Sequence, residues 1–333
     1  MDLEGFDYVL PPERIAQAPL EDRAASRLLL LRKDTGQVEH RTFRDVTELL
    51  EPGDLLVRNN TRVTAVRLFG RKTTGAAVEA LLLRNLGDGR YHALVKPGRR
   101  LLPGARLEFG EGLAAEIEAL EPPGRILAFD PVPDLEGKLE AHGYAPLPPY
   151  IHAPLADRER YQTVYASQGG SAAAPTAGLH FTPDILAALM AKGVEIAEVT
   201  LDVGLDTFRP VEDLATHAMH GERCSVPPET AVKVAACKGR VIAVGTTSAR
   251  TLETLSVGPR QVDARTEVSR LFISPGYQWK TVDAMFTNFH MPRTTMLLMI
   301  SALAGGAAIR EAYRQALEAE YRFLSFGDSM LIL

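Results

Sequence analysis

The segment TAVRLFGRKTTGAAVEALLLRNLGDGRYHALVKPG (residues 64–98) alternates short apolar runs with turn residues. Similar runs continue to about Tyr150, separated by further Pro-Gly, Gly-Glu-Gly and Pro-Pro-Gly turns. Short strands with regularly spaced turn signals are typical of an all-β barrel or sandwich. We therefore predict a small β domain here, with the proline-rich Pro146–Pro149 as a stiff return linker.

The sequence after this segment alternates helices and strands. Thr182 and Pro183 are good first residues for a helix, and Gly193 is a good end for it. Further elements are predicted as a strand over 194–203, a strand over 241–244, and helices over 249–255, 295–304 and 309–323. The predicted fold class is α/β, a layered α/β domain interrupted by an inserted small β domain that is a barrel or a sandwich. Residues 1–63 and 152–333 would form the discontinuous α/β domain, and residues 64–151 the inserted β domain.

Charge is distributed unevenly along the chain. The 333 residues are 46% hydrophobic, enough for a large core and roughly two domains, and carry a net charge of -5. The segment from Arg58 to Arg106 nevertheless has a net charge of +9, which leaves -14 for the remainder. Such a basic region indicates contact with nucleic acid, although a solvated basic face without a partner explains it equally well.

Several common classes of protein are not favoured. The first eight residues are acidic rather than basic, unlike a signal peptide, and the uncharged stretch between Arg293 and Arg310 is shorter than the ~20 residues that a membrane-spanning helix needs. Cys224 and Cys237 form no CxxC motif and are interpreted as reduced thiols. We expect a cytoplasmic protein without a membrane partner, and a monomer, because no heptad pattern is present.

The sequence NNTR (Asn59, Asn60, Thr61 and Arg62) follows an apolar strand. Its amides, hydroxyl and guanidinium suit the recognition of a base, a ribose or a phosphate. An asparagine-rich turn with an exposed arginine is the alternative interpretation.

The sequence AAPTAGLHFTP (residues 173–183) places His180 just before a helix N-terminus. Its small residues, which include Gly178 two positions after Thr176, allow a ligand to approach the backbone closely. The unpaired N–H groups of the helix could bind a carboxylate or a phosphate, with His180 as a proton carrier. A histidine satisfied within the core remains the alternative.

The sequence GTTSAR (residues 245–250) also follows a strand and begins a helix, where open α/β sheets bind ligands. Thr246, Thr247 and Arg250 supply hydroxyls and a cation. The motif is neither a dinucleotide fingerprint nor a phosphate-binding loop, so it indicates neither NAD nor ATP. A helix cap beside a surface arginine is the alternative.

Two histidine-containing motifs lie further along the chain. In HAMHGE, His217, His220 and Glu222 precede Cys224 with spacing that resembles a metal site. No second cluster supplies further ligands, so we favour proton transfer or plain packing and predict no metal. TNFHMP adds Asn288 and His290.

Taken together, these motifs resemble the S-adenosylmethionine:tRNA ribosyltransferase-isomerase family of queuosine synthesis. The resemblance covers nearly the whole chain and rests on NNTRV (59–63), RLFGRK (67–72), PLPPYI (146–151), YQTVYA (161–166), AAPTAGLHFT (173–182), GTTSAR (245–250), TNFHMP (287–292) and YRFLSFGD (321–328). It implies an α/β domain interrupted by a β-barrel. It also implies transfer of the ribosyl part of S-adenosylmethionine to 7-aminomethyl-7-deazaguanine at the tRNA wobble position, which gives epoxyqueuosine-tRNA, adenine and methionine.

The resemblance also implies partners and roles for individual residues. The partners would be S-adenosylmethionine, consumed as a substrate with no further cofactor, and tRNA with a GUN-type anticodon, without an obligate protein partner. The candidate catalytic residues are His180, His217, His220, His290 and Glu222. The candidate substrate-binding residues are Asn59, Asn60, Thr61, Arg62, Thr176, Gly178, Arg209, Thr246, Thr247, Arg250 and Asn288.

The chain departs from the family pattern in one region. Where the family usually has T-L-H-V-G-x-G-T-F, this sequence has TLDVGLDTF, with Asp202 and Asp206 in place of a histidine and a glycine. Gly221 replaces the usual serine of H-x-M-H-S-E, and the stretch from Pro210 to His217 is about two residues short. The alternatives are therefore a non-catalytic tRNA-binding relative and an S-adenosylmethionine-dependent tRNA methyltransferase.

Overall fold

The computed structural model describes residues 4–204, 219 and 221–333. The strands are β1 Arg27–Leu31, β2 Val38–Thr42, β3 Leu55–Asn59, β4 Thr61–Val63, β5 Val66–Lys72, β6 Ala77–Gly87, β7 Arg90–Lys96, β8 Arg106–Gly110, β9 Leu113–Glu121, β10 Gly124–Phe129, β11 Gln168–Ser171, β12 Glu195–Leu201, β13 Glu222–Ser225, β14 Val241–Val244, β15 Ser256–Gly258, β16 Gln261–Val262, β17 Thr266–Ser269, β18 Ala284–Asn288 and β19 Ser329–Ile332. The α-helices are α1 Val46–Leu49, α2 Leu135–His142, α3 Pro183–Lys192, α4 Pro228–Ala236, α5 Gly245–Thr254, α6 Thr295–Ala304 and α7 Gly306–Glu318.

A nine-stranded sheet forms the centre of the α/β domain, in the order β17-β13-β12-β3-β14-β18-β19-β1-β2. Strands β12, β3, β14 and β18 are parallel to one another, so their carboxyl ends meet at one edge. The central strands are apolar on both faces, as Val241–Val244 illustrates, because helices cover the sheet on both sides. This edge is where parallel α/β sheets bind ligands.

Helices cover each face of the sheet with a separate apolar core. On one side, α1 and α3 pack around Phe43, Phe181 and Leu189. Helix α3 begins and ends as predicted, because the Thr182 hydroxyl accepts a hydrogen bond from the Ile185 N–H and Gly193 adopts a left-handed conformation. On the other side, helices α4 to α7 cover a larger core.

The predicted helix over 309–323 is wrong at its end. Helix α7 ends at Glu318, and Glu320 has a φ of 58°, which turns the chain away from the helix axis. Tyr321 and Phe323 are then fully buried in the core. Their apolar side chains continue the helical pattern in the sequence although the backbone has left the helix.

The inserted β domain is a closed barrel of six strands, in the order β10-β7-β6-β5-β8-β9. Its interior is filled by apolar side chains such as Leu68, Ala80, Leu107 and Ile117. Strand β3 leads through β4 directly into β5, so the barrel projects from the carboxyl edge of the central sheet. The predicted fold class is confirmed; the boundaries at 63/64 and 151/152 stay a prediction.

Within the described residues, no single helix is long and apolar enough to cross a membrane. Helices α6 and α7 reach that length and hydropathy only as a pair, and they are bent by 114°.

Candidate active site

A pocket opens at the carboxyl edge of the central sheet. We refer to it as the sheet-edge pocket. Its polar lining consists of Thr176, Thr246, Thr247, Thr287, Asn288, His290 and Ser325, and its apolar lining includes Tyr150, Val203, Phe289, Met291, Met296 and Leu324. Three motifs that are far apart in the sequence, PTAG, GTTS and TNFH, therefore meet at one site. A mostly apolar cavity with a few convergent polar groups is typical of a small-molecule site.

His180 lies behind this pocket, at the end of the short 3-10 helix Thr176–His180. Its Nδ1 is 2.8 Å from Ser26 Oγ, and Asn288 Nδ2 donates to its Nε2 over 3.2 Å. Because Nε2 accepts, the ring proton belongs on Nδ1, which donates to Ser26. Burial lowers the pKa of His180 to about 3, so the ring is neutral at physiological pH.

Asn288 links His180 to the pocket. While its amide nitrogen donates to His180, its Oδ1 accepts a hydrogen bond from Thr176 Oγ1 over 2.9 Å. Ser26, His180, Asn288 and Thr176 thus form a continuous chain of hydrogen bonds, which we call the Ser26–Thr176 network. The network fixes the orientation of the Asn288 amide, and both Asn288 and Thr176 line the pocket. These contacts favour a positioning role for His180.

His290 lines the pocket directly. Its Nε2 is 2.6 Å from Thr287 Oγ1. Its main chain is held at both ends, because the Tyr8 hydroxyl donates to the His290 carbonyl and the His290 N–H donates to Tyr313 Oη over 2.9 Å. Burial lowers the pKa of His290 to about 3, so this ring is also neutral.

The N-terminus of α5 forms another wall of the pocket. Gly245 begins this helix with a φ of 86°, a conformation that favours glycine, and the N-cap residue Val244 makes no side-chain capping hydrogen bond. The Thr247 hydroxyl oxygen is buried and has no hydrogen-bond partner among the described residues. Free N–H groups, the positive end of the helix dipole and an unused hydroxyl together suit a carboxylate or a ribose hydroxyl.

Arg250 and Glu222 form a buried ion pair. Arg250 Nη1 is 2.7 Å from Glu222 Oε2, and the two residues are only 5% and 7% exposed. The remaining Glu222 oxygen accepts from the Gly204 N–H over 2.8 Å, and Arg250 donates to the hydroxyl and carbonyl of Ser269. The pair joins α5, β13 and β17 to the end of β12. Arg250 does not line the sheet-edge pocket, so these contacts support a role in holding its walls.

Asn59 makes its hydrogen bonds within the fold. Its Oδ1 accepts from the N–H groups of Thr61 and Leu201, and its amide nitrogen donates to the Leu201 carbonyl over 3.1 Å. The side chain is fully buried and joins β3 to the end of β12. Its predicted role in substrate binding gains no support from these contacts.

The other residues of NNTR also have protein partners. Asn60 donates to Glu198 and accepts from the Thr200 hydroxyl over 2.7 Å. The Thr61 hydroxyl is 3.4 Å from the Gln168 carbonyl and from an Asp202 carboxylate oxygen. Arg62 forms an ion pair with Glu159 at the surface. None of these residues lines the sheet-edge pocket.

Gly178 leaves room for an aromatic ring. A Cβ atom at this position would overlap the hydroxyl of Tyr165. The guanidinium of Arg58 lies 4.3 Å from the centre of the same ring. The glycine is therefore explained by packing behind the pocket.

Asp202, which departs from the family pattern, lies at the end of β12. Burial raises the pKa of its carboxyl, against the opposing effect of Arg223, whose guanidinium is 3.6 Å away. Asp206, Arg209, His217 and His220 lie outside the described residues, so their roles stay predictions. Within the described residues, no three His, Cys, Asp or Glu side chains are grouped to hold a metal.

Several residues of the site carry no local signal in the sequence. Tyr150 and Ser325 both line the pocket, and their hydroxyls are 2.7 Å apart. They belong to PLPPYI and YRFLSFGD, whose only signal is the resemblance to the family. Ser26, Tyr8 and Tyr313 act from outside the pocket, and no motif marks them.

The positive charge of the barrel region is partly neutralised. Seven of its basic residues form ion pairs with acids: Arg58, Arg62, Arg67, Arg84, Arg90, Lys96 and Arg106. Arg67 and Lys96 share one acid, Glu79. Arg71, Arg99 and Arg100 are exposed and form no ion pair with any described residue. By strand register, Arg71 and the 97–100 turn lie toward the same end of the barrel.

Comparison with known proteins supports the fold and shows the family. Residues 3–332 match the family described as queuosine biosynthesis protein. The S-adenosylmethionine:tRNA ribosyltransferase-isomerases of Symbiobacterium thermophilum and Heliobacterium modesticaldum are 52% and 51% identical, over 100% of both chains in each case. The crystal structure of S-adenosylmethionine tRNA ribosyltransferase from Thermotoga maritima is 40% identical, with a TM-score of 0.57 over 99% of this chain and 100% of that one. The chain therefore belongs to the queuosine biosynthesis protein family.

Proposed function

We propose that this protein is an S-adenosylmethionine:tRNA ribosyltransferase-isomerase. It transfers and isomerises the ribosyl group of S-adenosylmethionine onto 7-aminomethyl-7-deazaguanine in tRNA, which releases adenine and methionine and leaves epoxyqueuosine. Family membership and the relatives named above support this reaction over a methyltransferase or a non-catalytic binding protein.

The observation that carries the proposal is the sheet-edge pocket, where the α5 N-terminus and the unpartnered Thr247 hydroxyl face an apolar wall. The methionine carboxylate of the substrate would lie at the helix N-terminus, where N–H groups and the dipole favour an anion. Phe289, Met291 and Leu324 would contact the less polar parts of the molecule. Thr246 and Thr247 keep their predicted binding role, and Arg250 would support them through its ion pair with Glu222.

The chemistry begins at the ribose 5′-CH₂, which the adjacent sulfonium acidifies. A base removes a proton there, the C4′–O bond of the ring breaks, and adenine leaves as C1′ becomes an aldehyde. The aminomethyl nitrogen of the tRNA base then adds to C4′ and loses a proton, C5′ bonds to C1′, and the alkoxide so formed displaces methionine from C5′ to give the epoxide. His180 and His290 are neutral and already hydrogen-bonded, so we assign them to positioning: His180 orients Asn288, and His290 orders Thr287. The acid and base roles are then assigned to His217 and His220, whereas Glu222, both of whose carboxylate oxygens are engaged, holds Arg250 in place.

The tRNA would approach along the barrel, which projects from the same sheet edge as the pocket. Arg71, Arg99 and Arg100, which form no ion pair with described residues, would meet its phosphates. We further propose specificity for a GUN-type anticodon, no cofactor besides the consumed S-adenosylmethionine, and a cytoplasmic monomer without an obligate protein partner.

The decisive experiment is mass spectrometry of the products from purified protein, S-adenosylmethionine and tRNA that carries the aminomethyl-deazaguanine. We expect free adenine, methionine and an epoxyqueuosine nucleoside in equal amounts. S-adenosylhomocysteine would indicate methyl transfer instead. Bound tRNA without any product would indicate the non-catalytic relative.

A further inference from the structure

Two exposed aromatic side chains lie in contact on the outside of the barrel. Phe69 and Tyr144 are each 54% exposed, and their rings meet edge to face with centres 5.3 Å apart. Among the described residues, no other Phe, Tyr or Trp side chain is exposed. Solvent-facing aromatic pairs of this kind are unusual unless a partner covers them, because they leave apolar surface in water.

Cations lie beside this pair, together with Glu79, which is opposite Phe69 in the strand register. Alternate residues of β5 point to the same side, so Arg67 and Arg71 flank Phe69 on the outer face. Arg67 is 3.2 Å from Glu79, which also faces Lys96 at 3.8 Å. Arg71 donates to the Gly75 carbonyl and forms no ion pair with a described residue; Glu108 lies opposite it in the strand register. The surface combines aromatic rings with an excess of positive charge.

The pair lies close to the sheet-edge pocket along the chain. Tyr144 pairs with Arg67 of the barrel, and six residues later Tyr150 lines the pocket. Six residues span at most about 22 Å even when fully extended. A nucleic-acid strand with one base in the pocket could therefore place a neighbouring nucleotide over Phe69 and Tyr144.

We propose that Phe69 and Tyr144 form an aromatic platform on which an unpaired nucleotide of the RNA substrate stacks, with Arg71 at its phosphate. Proteins recognise single-stranded RNA by stacking its bases on aromatic side chains beside a basic groove, and an exposed aromatic pair flanked by arginines has this chemistry. That the RNA is tRNA rests on the proposed function. The platform itself rests on the exposed pair and its cations.

The test is the double variant Phe69→Ser/Tyr144→Ser, compared with Phe69→Trp/Tyr144→Phe and with Leu120→Ser. Leu120 lies on β9, two strands from β5 in the barrel, and is 50% exposed. Its replacement by serine is the control for the loss of an exposed apolar side chain elsewhere on the barrel. Each protein is titrated with tRNA, with a single-stranded oligoribonucleotide and with duplex RNA. The KM values for tRNA and for S-adenosylmethionine are measured in parallel.

We expect the double serine variant to bind tRNA and single-stranded RNA about 5- to 100-fold more weakly, the range that loss of base stacking gives. The KM for S-adenosylmethionine should be unchanged, and the Trp/Phe variant should retain affinity. Equal losses for Leu120→Ser, or for duplex RNA, would overturn the platform. Unchanged RNA binding by the serine variant would also overturn the platform. If that variant instead lost a self-association that the wild type shows, the aromatic pair would be a contact between two copies of the chain.

The platform and the proposed reaction fail in different ways. If the wild-type protein forms no adenine but binds RNA in a manner that depends on Phe69 and Tyr144, the platform is supported and the proposed reaction is contradicted. If the wild type converts S-adenosylmethionine to adenine and the serine variant has the same tRNA affinity and KM, the reaction is supported and the platform is contradicted.

Discussion

Acid should destabilise this protein through His180, and the substitution His180→Gln should remove that effect. Burial lowers the pKa of His180 to about 3, against an ordinary value of 6.5. The unfolded chain therefore takes up a proton near pH 6.5, whereas the folded chain does so only near pH 3. Protonation thus favours unfolding, and the stability that is present above pH 6.5 is lost as the pH falls through this window.

The magnitude follows from these two values. Between pH 8 and pH 5, a histidine with a pKa of 6.5 in the unfolded state and about 3 in the folded state costs about 2 kcal/mol of folding free energy. His290 has the same displaced pKa and should contribute a similar amount. In His180→Gln, the amide can still accept from Asn288 and donate to Ser26, so the fold and the Ser26–Thr176 network should survive.

The measurement is urea unfolding followed by circular dichroism at pH 8 and pH 5. The loss of unfolding free energy between the two pH values should be about 2 kcal/mol smaller in His180→Gln than in the wild type. His142→Gln removes an exposed imidazole from the end of α2 and serves as the control. The same loss in His180→Gln and in the wild type would refute the assignment of a neutral, buried His180.

The same variant separates positioning from acid–base catalysis. A positioning role predicts that His180→Gln retains most of its turnover with an unchanged pH profile above pH 5. Loss of a general base would instead lower kcat by about 10²- to 10⁴-fold.

Three further outcomes follow from the site. Glu222→Ala should lower the free energy of unfolding by about 3–5 kcal/mol in urea, because it leaves Arg250 buried without its carboxylate. Glu222→Gln/Arg250→Met should recover part of that loss. A change below 1 kcal/mol in Glu222→Ala would contradict a structural ion pair. Thr247→Val should raise the KM for S-adenosylmethionine by about tenfold, the effect of losing one hydrogen bond, and leave the affinity for tRNA unchanged. An equal effect on both ligands would show that Thr247 does not bind the carboxylate or the ribose. Gly178→Ala should cost about 1–3 kcal/mol of stability through its overlap with Tyr165, and Gly178→Ala/Tyr165→Phe should recover part of it; no recovery would place the clash elsewhere.

Local patterns in the sequence were sufficient to predict a strand-rich domain inserted in an α/β domain. Turn residues spaced along 64–150 indicate short strands regardless of their partners, and Thr182, Pro183 and Gly193 mark the ends of α3 through their own conformational preferences. The end of α7 could not be predicted in this way, because Tyr321 and Phe323 keep a helical pattern of apolar residues although a left-handed residue has ended the helix. Which strands pair, and in what order, depends on contacts that local patterns do not contain.

The site was only partly predictable for a related reason. Thr176, Thr247, Asn288 and His290 were found because each lies beside a strand end or a helix start, where parallel sheets collect ligands. Asn59 has the same kind of position, yet its side-chain amide hydrogen-bonds to the backbone of Thr61 and Leu201 within the fold. The sequence shows which side chains are able to bind a ligand, but the fold determines which of them are not already hydrogen-bonded within the protein.

The hydrogen bond from the Tyr8 hydroxyl to the His290 carbonyl makes the amino-terminal segment a structural support of the pocket. Phe6 extends this attachment, since its carbonyl accepts a hydrogen bond from the N–H of Arg293 over 3.0 Å. A shortened chain that begins after Tyr8 would keep every side chain that lines the cavity and still release one end of the peptide that carries His290. Purification tags and fusion partners for this enzyme therefore belong at positions where they do not pull on the first ten residues.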